Sequence, residues 1–183
     1  NKLPDELKQY ALDPRSVGLK YGQRDGWTLG GDRYVNGGVC NQCTSLSSSL
    51  MGVLWEKNGE PLASKHGMNG NGNQIVKSMS SHMGTKIRKE PISGDVFSSG
   101  LSGGYGHTGV VSHVFENGDI LIVEQNIEGV SGSWHHQSNF AVLGVNDFEW
   151  SYRYIKKSAL SDYEFTSPES KGYKISSKAK SMK

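Results

Sequence analysis

The stretch His107-Thr108-Gly109-Val110-Val111-Ser112-His113-Val114-Phe115-Glu116-Asn117-Gly118-Asp119-Ile120-Leu121-Ile122-Val123-Glu124-Gln125 decides the fold. Two runs rich in β-branched residues flank Asn117-Gly118, a pair that tolerates the positive φ angles of a two-residue hairpin turn. The stretch therefore reads as a β-hairpin with strands over 107–115 and 119–125. Residues equidistant from such a turn pair up, so the strand carrying Glu124 and Asn126 runs back toward His107. Glu124 and Asn126 are two apart and point to the same face.

Outward from the hairpin the pattern stays β on both sides. Residues 95–98 read as a strand, and Phe148, Trp150, Tyr152 and Tyr154 alternate to give another with one aromatic face. Before Pro91 the period changes. Leu46, Leu50, Val53 and Leu54 fall at i, i+4, i+7 and i+8, which predicts an amphipathic helix over 43–57 closed by Asn58-Gly59. A second helix is predicted over 73–83, with Ile75, Val76, Met79 and Met83 on one face and Gly84 as its stop. A short helix over 3–12 should end at Asp13-Pro14, because the residue before proline avoids the α region. Between these, 18–38 reads as a long ordered loop rich in Gly and Asp. Helices first and antiparallel strands afterwards give an α+β, papain-like class, with helices packed on one side of a small antiparallel sheet.

Length and composition agree. A chain of 183 residues, 34% of them hydrophobic, is long enough for one domain with a real core. Its 24 glycines favour turns and short strands over a helix bundle. A net charge of +2, with no stripe of Lys and Arg among aromatics, argues against nucleic acid as a partner. Apolar runs as short as Ile120 to Val123 argue against membrane insertion of this segment. The expected organisation is an N-terminal extension with a helix over 1–25, a catalytic domain over 26–160 and a polar, Lys-rich tail over 161–183. The opening Asn1-Lys2-Leu3-Pro4-Asp5 reads as a mature terminus or an excised domain. Lys171, Lys174, Lys178, Lys180 and Lys183, with no acids among them, give the tail a composition expected to stay solvated.

Two cysteines three positions apart, Cys40 and Cys43, are too few for a disulfide framework and mark a reactive site, a metal site or a local bridge. Cys43 falls in the first turn of the predicted helix, where the positive end of the helix dipole favours a thiolate. Such a nucleophile needs a histidine brought to it by the fold, and that histidine needs an acceptor. His107 is the candidate, because Gly103, Gly104, Gly106 and Gly109 around it leave space for a substrate backbone. Glu124 and Asn126 are its candidate orienting groups.

These residues, in Asn41-Gln42-Cys43-Thr44, Gly94-Asp95-Val96-Phe97, Gly106-His107-Thr108-Gly109-Val110-Val111 and Val123-Glu124-Gln125-Asn126, resemble the CHAP family of cysteine- and histidine-dependent amidohydrolases and peptidases. The resemblance spans roughly 26–155. It implies Cys43 as nucleophile, His107 as general base, and Glu124 and Asn126 as the orienting acid and amide. It also implies bacterial peptidoglycan as the partner, an amide bond of its peptide part as the target, and a setting outside the cell or in the cell wall. Phage lysins, autolysins and the wall-opening modules of conjugation machines are all such settings, and other modules of a larger protein are expected partners. Gln42 is a candidate second oxyanion donor, and Trp27, Tyr105 and Trp134 are candidate walls of a substrate groove. Some phage members bind calcium through acids flanking the cysteine. Here Asp32 is the one acid over 30–45, so neither a metal nor a cofactor is expected.

Other readings of the same residues fare less well. Cys40-Asn41-Gln42-Cys43 is formally C-x-x-C, but the βαβ context of a redox site is missing. Zinc would need two further ligands, for which His107 and His113, placed on one face by even spacing, are the candidates. Gly104 to Gly109 matches G-x-G-x-x-G but leads into a strand, not the helix that a dinucleotide requires. His135 and His136 beside Trp134 read as an exposed loop. A catalytically silent peptidoglycan-binding module and a soluble amidase of small peptide conjugates are the competing functions.

Overall fold

The computed structural model describes residues 3–24, 38–40, 42–125, 135–136, 140–142 and 150–179, with the side chains of 20–24, 38–40, 64–65, 135–136 and 140–142 outside that description. In chain order, α1 (Asp5–Lys8) and a 3-10 turn (Pro14–Val17) lead to a parallel pair, β1 (Lys20–Arg24) and β2 (Gly38–Cys40). Helix α2 (Cys43–Leu54), the hairpin of β3 (Trp55–Lys57) and β4 (Glu60–Pro61), and helix α3 (Ile75–Met83) follow. The remainder is β: β5 (Val96–Ser99), β6 (His107–Val114), β7 (Ile120–Glu124), β8 (His135–His136), β9 (Phe140–Val142), β10 (Ser151–Ile155), β11 (Tyr163–Thr166) and β12 (Lys174–Ile175).

The main sheet runs β11-β5-β6-β7-β10, every neighbour antiparallel, with β8 and β9 both along the outer edge of β10. Helices thus precede and pack on an antiparallel sheet, the expected α+β arrangement. Strand alternation sorts the sheet's side chains into two cores. Val96, Val110, Leu121, Val123 and Tyr152 join Leu46, Leu50 and Leu54 of α2 and Ile75, Val76 and Met79 of α3. Phe97, Val111, Ile120, Ile122, Ile155, Tyr163 and Phe165 form the second core on the opposite face. The sheet curls toward that second face. Four strand spacings separate β10 from β11, about 19 Å if flat, yet Arg153 Nη2 on one lies 3.2 Å from the Tyr163 hydroxyl on the other.

Helix α2 is buried nearly all round, and its interior serines let it approach the sheet closely. Thr108 Oγ1 donates to Ser47 Oγ at 3.0 Å, and Ser48 Oγ returns to Thr44 O at 2.8 Å, so the buried hydroxyls are paired.

Several boundaries differ from the sequence expectation. Helix α2 ends at Leu54 rather than near Lys57. Trp55 leaves it in extended conformation, anchored by its indole N–H on Gly94 O at 2.9 Å. Asn58 (φ 52) and Gly59 (φ 78) therefore make the two-residue turn of the β3–β4 hairpin, not a helix stop. The N-terminal helix shrinks to Asp5–Lys8. The Leu12 N–H is taken at 2.7 Å by the Ser112 hydroxyl, which itself donates to Tyr10 O. Leu3, Leu12, Val17 and Leu19 are buried in the first core instead of riding on an extension. The stretch expected as a solvated tail is built in as well. Tyr163 to Thr166 pair with β5, Lys174 and Ile175 pair with β3, and Ser176 and Ala179 are buried. Composition misleads there because Tyr163, Phe165 and Ile175 alternate with the polar residues, enough to cover an edge that already exists.

Candidate active site

Cys43 is the first residue of α2 and a partly buried free thiol. Gln42, in extended conformation (φ −99, ψ 147), is the N-cap and turns the chain into the helix. Its carbonyl accepts from Ser45 N at 3.1 Å, from Leu46 N at 3.2 Å, and from Gln125 Nε2 at 2.7 Å. Gln125, one residue past β7, therefore clamps the start of α2 to the sheet. It escaped the sequence reading, although its place between Glu124 and Asn126 gives it the opposite parity and hence the helix-facing side.

His107 opens β6 opposite Ser99. The glycines ahead of it form a held loop. Asn73 Nδ2 donates to the carbonyls of Gly100 (3.2 Å), Gly103 (3.4 Å) and Gly104 (3.0 Å), and Asn73 N donates to Tyr105 O at 3.1 Å. On the other side the Asp162 carboxylate accepts from Gly100 N (3.0 Å) and Leu101 N (3.1 Å). Gly106 takes φ +62, and a Cβ there would come within 2.4 Å of Asn73 Cβ, so the loop closes tightly on Asn73. Gly72 backs the histidine itself, since a Cβ on it would lie 2.6 Å from His107 Cα.

The imidazole meets a carboxylate. His107 Nε2 lies 2.7 Å from Glu124 Oε1, with the two side chains 13% and 0% exposed. Nε2–H is therefore the donor to Glu124, which leaves Nδ1 as the second ring nitrogen. Arg153, on the neighbouring strand β10, donates from Nη2 to the same Oε1 at 3.0 Å. Burial alone lowers the His107 pKa, but hydrogen bonding to Cys43 and to Glu124 overcomes it and raises the value to about 9. For Glu124 burial pushes the carboxyl up, while the Arg153 charge and the His107 bond bring it below the ordinary range. Near neutral pH the row is guanidinium, carboxylate, imidazolium, with the Cys43 sulfur beside the last. Such a row can hold a charged imidazole in one orientation next to a nucleophile.

His107 and Glu124 are thus brought into contact, and Cys43 is near enough to raise the pKa of the ring. Asn126, Trp27 and Trp134 lie outside the described residues. Tyr105 is 79% exposed at the tip of the glycine loop, two residues ahead of His107. Arg153 is the functional candidate that sequence reasoning missed. Trp150, Tyr152 and Tyr154 drew notice to one face of its strand, and the other face was left unread.

The zinc reading fails on geometry. The register of β6 shifts between Val111 and His113, a bulge at Ser112, so His113 turns to the face opposite His107 and packs with Tyr10 and Phe115. Among the described residues no three His, Cys, Asp or Glu side chains could hold a metal ion together. The backbone of His136, expected in an exposed loop, lies in β8 and pairs with Tyr154 of β10.

Comparison with known proteins places these features in a family. The CHAP domain matches over residues 33–126, just over half of the chain, a span that includes Cys43, His107, Glu124 and Asn126. Among solved structures, the crystal structure of an N-acetylmuramoyl-L-alanine amidase from Staphylococcus aureus is similar at a TM-score of 0.46 and 20% identity, covering 70% of this chain. The chain spans 30% of the length of that amidase chain. No curated protein sequence matches it.

Proposed function

The chain belongs to the CHAP domain family, and from that premise we propose that it hydrolyses an amide bond in the peptide part of bacterial peptidoglycan, with Cys43 as nucleophile and His107 as its base. Membership of the family implies a cysteine hydrolase that acts on peptidoglycan in general. The observation that carries the finer reading is the imidazole of His107, tied through Nε2 to buried Glu124 and raised to a pKa of about 9 by Cys43 and Glu124.

The reaction follows from that arrangement. His107 carries a proton at neutral pH, so the sulfur beside it reacts as the thiolate of an ion pair. The thiolate attacks the scissile carbonyl, and the developing oxyanion is met by backbone N–H groups at the start of α2, which have no carbonyl of their own helix to bond. The Gln42 side chain is the proposed second donor. The imidazolium protonates the leaving amine, the C–N bond breaks, and an acyl-thioester remains on Cys43. Water then gives a proton to neutral His107, attacks the thioester, and releases the acid and the thiolate. Glu124 keeps the ring oriented throughout, with Asn126 as its proposed companion. Tyr105, Trp27 and Trp134 are the proposed groove walls. The target is either the bond from muramoyl to alanine or one within the stem or cross-bridge, in a phage, autolytic or conjugative setting at the cell wall.

The test is turnover of purified cell walls by the wild type and by Cys43→Ala under reducing conditions, with new termini identified by mass spectrometry. Soluble fragments from the wild type alone are expected. A new alanine terminus from muramic acid indicates an amidase, and a terminus within the peptide indicates an endopeptidase. No release by either protein, with both sedimenting with walls, would mean a binding module and overturn the proposal.

A further inference from the structure

We propose that Arg153 is a positioning residue of this site, whose guanidinium holds Glu124 as an ionised carboxylate aimed at His107. The inference deepens the hydrolase reading and rests on it. Its ground is the register of the sheet. On β10, Arg153 stands opposite Ile122 of β7, so Glu124, two residues further along the same face, is its diagonal neighbour. From the other side His107 reaches the same carboxylate from β6. Both partners converge on one oxygen, His107 Nε2 at 2.7 Å and Arg153 Nη2 at 3.0 Å from Oε1. The curl of the sheet brings in a fourth group, because Nη2 also lies 3.2 Å from the Tyr163 hydroxyl on β11. The one nitrogen Nη2 thus bridges Glu124 and Tyr163, and only 14% of the side chain is exposed.

A fully buried carboxylate would otherwise favour its neutral form. A protonated Glu124 could no longer take a charge-assisted bond between opposite charges from the imidazolium, and the ring would lose its fixed orientation. With Arg153 present the charges alternate from one end of the row to the other: thiolate, imidazolium, carboxylate, guanidinium. Without it the row carries one net negative charge away from water. The groups that act on the His107–Glu124 pair are Cys43 from α2, Arg153 from β10 and Tyr163 from β11. Tyr163 remains a neutral phenol, since burial raises its pKa.

The experiment compares Arg153→Met and Arg153→Lys in the full chain. Two readouts are used: the pH dependence of wall turnover, and the NMR titration of the His107 ring in a Cys43→Ala background, which needs no turnover. Loss of a positive charge makes every neighbouring group hold its proton more tightly. The acid limb of activity and the acid-side titration of the coupled pair are therefore expected to move up by about 1–3 pH units in Arg153→Met. Arg153→Lys should return most of that shift. If the Met protein does not fold, Arg153→Gln serves as the neutral variant. An unmoved titration in the neutral variant, or a Lys variant that behaves like it, would overturn the proposal. Absence of turnover in every protein, with the titration still shifted, would sink the hydrolase reading and leave the role of Arg153 in holding Glu124 intact.

Discussion

His107 is the residue on which the proposed chemistry turns, and its sign of titration makes a prediction. Its pKa rises from an ordinary 6.5 to about 9 in the folded chain. The protonated ring thus contributes stability that is complete below about pH 6.5 and is lost as pH rises through about 9. Turnover should fall over the same alkaline range, because the neutral ring no longer protonates the leaving amine. Activity profiles and denaturant unfolding at pH 6 and pH 9.5 would measure the two losses together. Profiles that stay flat through pH 9 would contradict this account of the imidazolium. At this scale the sequence was informative for Cys43, His107 and Glu124, whose neighbours form recognisable short motifs. It was silent on Arg153 and Gln125, which matter only because particular strands lie next to each other.

The elements around the site work as a frame. Gly72 and Asn73, in the 3-10 turn before α3, press directly on the backbone of His107 and on the loop that leads into it. The sequence reading began a helix at Asn73 and gave neither residue a part in the site. Gly72→Ala should push the first residue of β6 away, since the added methyl would sit 2.6 Å from His107 Cα and 2.8 Å from its nitrogen. Displacement of a catalytic group by about 1 Å costs on the order of 100-fold in rate. A kcat reduced by about that factor, with far-UV circular dichroism unchanged, is the expected result. Wild-type kcat in this variant would show that the contact is not needed to place the histidine. The bulge at Ser112 is a second device of the frame. It turns the later half of β6 over and ties the N-terminal segment to the sheet through Tyr10 O and Leu12 N. Regular alternation through 107–115 gave no hint of it.

Across the whole molecule the last stretch of chain is structural. Strand β11 covers the outer edge of β5, and its Tyr163 and Phe165 fill the second core beneath the site. Arg88 on the incoming segment is bridged to Phe165 and, with its guanidinium, binds the fully buried Asp95 carboxylate. A chain cut after residue 160 loses β11, its two core aromatics and the bridge from Phe165 to Arg88 at once. Removal of a buried Phe side chain alone costs about 3–5 kcal/mol, a large part of the stability of an ordinary domain. The shortened protein should show no cooperative thermal unfolding and should aggregate through the exposed β5 edge. A sharp transition near that of the full chain would mean that residues 161–183 only decorate the fold.

The α+β class, the hairpin around Asn117-Gly118 and the helix beginning at Cys43 all follow from local pattern. Turn residues, hydrophobic period and strand parity act over a few positions and need no knowledge of the rest of the chain. The pairing of β10 with β7, the curl that brings Arg153 to Tyr163, the clamp of Gln125 on Gln42 and the pairing of residues 163–166 with β5 and 174–175 with β3 were decided by tertiary structure. Each joins segments far apart in sequence, and no local pattern records which strand becomes the neighbour of which. An arginine in a strand reads as solvated until the sheet closes over it, and a polar terminal stretch reads as free until an unpaired edge gives it hydrogen bonds and a core to cover.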